Sequence, residues 1–230
     1  MATETSETAS GPDSPTGPSG WSTRIHAIDD RWLELIAVLL LATASLAAAW
    51  SGYQASRWGG VQSTLYSQAG AARVESTRAS TTGYLRTVAD LEIFNGWAEA
   101  YATENELLLD FYENRFTPEL QVAMDAWLAT QPLQNPDAPS GPLQMEEYRQ
   151  PDLERSLELE AEAERLFAEG REANQQGDDY VLTTVFLATV LFFAGISARV
   201  TTPVIKVGVI AFALAMLLYS LYRLATFPIT

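Results

Sequence analysis

The amino-acid sequence predicts an all-α integral membrane protein with three transmembrane helices and a long antiparallel helical stalk and head inserted between spans one and two. Three observations carry this. Uncharged apolar runs at Leu35–Ser56, Tyr180–Ala198 and Val207–Tyr222 each approach or exceed the roughly 20 residues that a helix needs to cross the hydrocarbon. An acidic, water-soluble segment of about 125 residues separates the first run from the second. No strand-like alternation of any length appears.

Residues 1–22 are rich in Ser, Thr, Gly, Pro and Glu without apolar periodicity, and read as a disordered tail. Residues 23–56 form a membrane-proximal segment and the first transmembrane helix, entered at Glu34. The polar start lacks the pattern of a cleavable leader, so this helix reads as an uncleaved signal anchor. Trp32, Trp50, Tyr53, Trp58, Tyr180, Tyr219 and Tyr222 stand where interfacial aromatics belong.

Residues 57–178 form the acidic stalk and head. A seam of small residues steps by three and four through Ala44, Ala48, Ser51 and Ala55, then Ala69, Ala72, Ser76, Ala79 and Gly83, and Ala44, Ala48 and Gly52 step by four within the first span. The return arm answers with Ala163, Gly170, Ala173 and Gly177. That is the heptad spacing of a coiled-coil-like helix pair, and small side chains let two backbones approach closely. Gly59-Gly60 is expected to kink the outgoing arm. Past Thr87, large residues such as Phe94, Trp97, Tyr112, Phe116 and Trp127 supply a small core. The outgoing helix is expected to end near Phe116, because Thr117-Pro118 stops one helix and starts another, running to about Ala129. Four prolines make residues 131–144 an irregular loop, and the returning helix starts between Pro142 and Asp152. The second span occupies 179–199 and the third 202–224, with Lys206 snorkelling to the headgroups. A short C-terminal tail, 225–230, follows.

The formal charge is −15. Between Tyr53 and Asp178 there are 22 acidic residues against 9 arginines, a density that repels nucleic acid. The chain has no cysteine, one histidine (His26) and one lysine (Lys206). No nucleophile elbow or phosphate-binding loop is present, and zinc sites built on His and Cys are out of reach. The expectation is no enzyme, no cofactor and no metal. The acidic residues of the return arm interleave with Arg155, Arg165 and Arg171 as a solvated helix face does. Asp178-Asp179 is a candidate ion or partner contact, weighed against a polar stop before the second span. Basic residues near the membrane ends tie in number, but the short turn carries Arg199 and Lys206 without an acid. That places tail and turn inside and the acidic domain in an extracytoplasmic position.

The stretches 50–58 (WSGYQASRW), 110–116 (DFYENRF), 126–130 (AWLAT), 135–139 (NPDAP) and 192–197 (FFAGIS) resemble a family of uncharacterised bacterial membrane proteins built as one span, a helical domain and two spans. The resemblance covers nearly everything after the tail. It implies the architecture and a bacterial plasma membrane, and supplies no activity. Arg-rich, Lys-poor usage fits a high-GC bacterium.

Two functions fit these readings. The first is a non-enzymatic membrane-anchored scaffold or interaction protein that presents its acidic helical domain to a partner or to another copy. The alternative is a small oligomeric channel or membrane sensor. The bilayer is a partner in both, and the small residues Ala44, Ala48 and Gly52 suit self-association as readily as packing within one chain.

Overall fold

The computed structural model describes residues 30–230. The expected tail and His26 lie outside the described residues. Five helices follow in order: α1 Asp30–Ala102, α2 Glu106–Glu113, α3 Pro118–Ala129, α4 Pro151–Ser197 and α5 Pro203–Thr226, with a 3-10 turn at Pro142–Gln144. Among the described residues there is no strand.

Local chemistry sets most boundaries. α1 runs unbroken through Gly59-Gly60 for 73 residues. It ends at Ala102, earlier than the expected stop near Phe116. Glu104 adopts the left-handed region (φ 55°), and the Asn105 side chain accepts from Leu108 N at 3.2 Å, starting α2. α3 begins where expected: Thr117 caps it by accepting from Leu120 N, with Pro118 in the first turn.

The described chain forms two compact units, one made of the residues up to Arg57 with Gln176–Thr230, the other of Trp58–Gln175. In the first unit, Leu33, Leu40, Ala44 and Ala47 of α1 pack with Leu187, Val190 and Ala194 of α4 and Ile210, Ala213 and Leu217 of α5. Its outer face is apolar as well: Leu46 is 75% exposed, and Leu35, Val38, Leu39, Val185, Phe192, Ile205, Phe212 and Leu218 are also uncovered. α1, α4 and α5 are long and apolar enough to cross a membrane. Lys206 departs from expectation. It does not reach outward but is buried at the start of α5, in contact with another group, as a buried charge requires.

In the second unit, α1 and α4 run antiparallel. Ser76 Oγ donates to the Ser156 carbonyl at 2.8 Å, Arg73 pairs with Glu160 and Arg86 with Asp152. Of the seam residues, Ala69, Ser76, Ala79, Gly83, Ala163, Gly170 and Ala173 are buried. Ala72 and Gly177 are half-buried. A Cβ on Gly170 would stand 2.5 Å from the Tyr66 ring and one on Gly83 2.7 Å from Leu153, so both glycines admit a large side chain from the opposite helix. In the first unit Ala44 is buried and Ala48 half-buried, whereas Gly52 is exposed, with nothing within 4 Å of a Cβ placed there. The buried positions beside it are Ser51 and Gln54. Ala79→Leu is expected to overpack the α1–α4 seam and cost about 1–3 kcal/mol. Thermal melting against Ala72→Leu, at a half-buried site, checks this; equal small effects would count against close packing.

Candidate interaction surface

The far end of the second unit is built on an aromatic core. Trp97, Leu120, Met124 and Trp127 are buried, with Phe94, Tyr112 and Phe116 packed against them. Phe94 meets Trp127 edge-on at 5.4 Å between centroids and Trp97 stacks on Tyr101 at 5.3 Å, geometries that add to the apolar burial. The indole N–H groups are satisfied: Trp127 donates to the Pro139 carbonyl at 2.7 Å and Trp97 to Glu113 Oε1 at 3.1 Å. The proline-rich loop is thereby tied to α3.

One carboxylate organises the chain around this core. Asp90 is fully buried. Its Oδ1 accepts from Thr117 Oγ1 at 2.9 Å, and its Oδ2 from Tyr148 OH at 2.8 Å and Gln150 Nε2 at 3.2 Å. Thr117 caps α3 and Gln150 immediately precedes α4, so a single side chain of α1 fixes where two other helices start. Burial pushes the Tyr148 phenol above its ordinary value, and the Asp90 carboxylate adds to this, against hydrogen bonds with Thr87 and Gln150. The neutral phenol is therefore the form the fold favours. Its contribution is fully present below the unfolded value of about 10 and is lost as pH rises through the higher folded value. Tyr148→Phe is expected to flatten the alkaline limb of stability above about pH 10, measured by thermal melts across that range. An unchanged limb would contradict this role.

Above the core lies an open groove of about 530 Å³ lined by Trp97, Tyr101, Trp127, Leu128, Pro132 and Leu133. A second recess of about 440 Å³ shares Trp97 and Leu128 and adds Glu113 and Asp125. Around them, Leu133 is 68% exposed and Tyr101 48%. Leu107 and Phe111 of α2 are also exposed. Uncovered apolar side chains grouped this way mark contact sites on soluble surfaces.

A separate polar cluster sits in the first unit. Ser51 Oγ donates to the Tyr180 carbonyl at 2.7 Å, and Tyr180 OH to the Pro228 carbonyl at 3.1 Å. Thr230 Oγ1 donates to Gln54 Oε1 at 3.0 Å. Asp179, half of the pair singled out in the sequence, forms an ion pair with Arg223 at 2.7 Å. These groups bind one another and fasten residues 227–230 to the helices. On the return arm Arg165 pairs with both Glu162 and Glu169, and its guanidinium holds the Glu162 carboxyl below the usual range. Pairs this exposed contribute little to stability. Among the described residues no group of three or more His, Cys, Asp or Glu gathers as metal ligands would.

Asp90 was not singled out by its residue type, but a period marks it. Ala69, Ser76, Gly83, Asp90 and Trp97 are spaced by seven and all are buried. Continuing the small-residue seam by two steps reaches both the hub and the aromatic floor. Comparison with protein-family models, curated proteins and solved structures finds no match.

Proposed function

We propose that the chain is a membrane-anchored, non-enzymatic interaction protein: three helices cross a bacterial plasma membrane, and an acidic helical stalk and head between spans one and two docks a partner on the extracytoplasmic side. The observation that carries the docking role is the uncovered groove over the Trp97–Trp127 core, rimmed by Tyr101, Leu128 and Leu133. Such a surface costs solubility unless something covers it. Membrane insertion is supported by the uncovered apolar outer face of the first unit, since lipid is the solvent in which that face carries no penalty.

The channel alternative finds less support. Thr183, Thr184, Thr189, Ser197 and Ser220 donate their hydroxyls to carbonyls of their own helices. They are therefore spent locally rather than lining a polar path. The mass of the protein in native lipid nanodiscs, with crosslinking in its own membrane, tests the reading. A monomer crosslinked to one unrelated protein is the expected result. A closed homo-oligomer that conducts ions would replace the docking role with the channel.

A further inference from the structure

We propose that the paired grooves of the head receive a peptide segment of a partner protein that sets an apolar or aromatic side chain against Trp97 and Leu128 and a neighbouring arginine or lysine on Glu113 and Asp125. The proposal rests on the docking role above and names its chemistry.

Three observations carry it. The two recesses adjoin, because Trp97 and Leu128 line both; an apolar site and an acidic site therefore lie one side chain apart. Among the described residues, no arginine or lysine pairs with the acidic site. Among the described residues Glu113 accepts only from the Trp97 indole and Asp125 only from Gln121 Nε2, while ion pairs of this unit lie elsewhere, at residues such as Arg73, Arg86 and Arg165. The single arginine between residues 98 and 147, Arg115, is committed to the Phe111 carbonyl and stands 3.5 Å over the Phe111 ring. Finally, the same stretch carries ten acidic residues. Two such faces repel, so a second copy is a poor occupant, and a cationic ligand is the complementary one. The stacked Trp97–Tyr101 pair offers a further attraction to a positive group.

The probe is a fluorescent synthetic decapeptide alternating arginine with leucine and tryptophan. It is titrated against the full chain in nanodiscs of phosphatidylcholine, which has no net charge to attract it. Binding is expected to be about tenfold tighter than for the same peptide with glutamate in place of arginine, or with serine in place of the apolar residues. It is expected to weaken as salt rises from about 50 mM to about 500 mM. Leu133→Asp, and separately the pair Glu113→Gln with Asp125→Asn, should each lower affinity about five- to tenfold; these exposed or isosteric changes leave the core intact, which an unchanged melting curve verifies. Equal binding of the glutamate peptide, or wild-type affinity in both variants, would overturn the proposal. So would a homodimer dissolved by Leu133→Asp. Photo-crosslinking residues at Leu133 and at Val74 in native membranes separate this failure from that of the docking role. Val74 lies about 35 Å from Trp97 along α1 at 1.5 Å per residue, and Leu133 shares the groove with Trp97. An adduct at Leu133 is expected. An adduct confined to Val74 would keep a docking role but remove this groove from it, and no adduct at either position would remove both.

Discussion

Replacing Asp90 with alanine is expected to destabilise the second unit by about 2–4 kcal/mol, because one buried and two half-buried donors lose their acceptor at once. Thr117 Oγ1, Tyr148 OH and Gln150 Nε2 all point at this carboxylate, and water has little access to a site where Asp90 is fully buried. Gln150 Oε1 is the one unused acceptor noted there, too few to take over three stranded donors. The loss should reach further than the side chain. Thr117 caps α3, and Gln150 accepts the first backbone bonds of α4 from Leu153 and Glu154; the starts of both helices are expected to fray together. Asp90→Asn keeps one acceptor oxygen and should cost less. Chemical denaturation of the variants, with hydrogen exchange at residues 118–122 and 151–155, checks both the size and the reach. A loss below about 0.5 kcal/mol, the range of an ordinary surface change, would show that Asp90 does not organise this end.

Leu46→Arg should be the most damaging single change in the first unit, and it separates lipid from water as the surrounding solvent. Leu46 lies at the middle of the first apolar run and is 75% exposed. In water, a substitution there would fall within about 0.5 kcal/mol of neutral. In a bilayer, arginine at the centre of a helix costs about 2.5–3.5 kcal/mol on insertion scales. Membrane yield and resistance to alkaline extraction, compared with Leu46→Phe, give the readout. Normal yield of the arginine variant would mean that this face does not meet lipid.

How much of this was legible in the sequence depends on the kind of signal. Apolar runs announce long helices because every turn must be apolar, so α5 and the relevant parts of α1 and α4 could be read without knowing any contact. Thr117-Pro118 marked the start of α3 because cap and first-turn chemistry are local. The stop at Ala102 was not legible: Thr103, Glu104 and Asn105 include no glycine or proline, and the asparagine cap is a weaker signal than either. Gly52 fits the seam by size, while burial follows angle. At 100° per residue, Ser51 returns to within about 20° of Ala44, whereas Gly52 lies about 80° away. Lys206 has the sequence of a basic flank because lysines at span ends usually reach for water; its burial depends on neighbours that hydropathy does not describe. The Asp90 cluster joins residues separated by 27, 58 and 60 positions, a pairing that one sequence does not encode in any local pattern. The groove is likewise a product of tertiary packing, since Trp97 and Leu133 meet only once α3 and the loop after it fold back over α1.

The central claim, that three helices cross a membrane and leave the acidic domain on the opposite side from the turn between α4 and α5, is tested most directly by single-cysteine labelling. The chain contains no cysteine, so one introduced at Leu85, Thr201 or Leu46 reports alone. A membrane-impermeant maleimide added to sealed right-side-out vesicles should label Leu85→Cys before lysis, Thr201→Cys only after it, and Leu46→Cys in neither case. Labelling of Leu85→Cys and Thr201→Cys from the same side, or ready labelling of Leu46→Cys, would contradict the account.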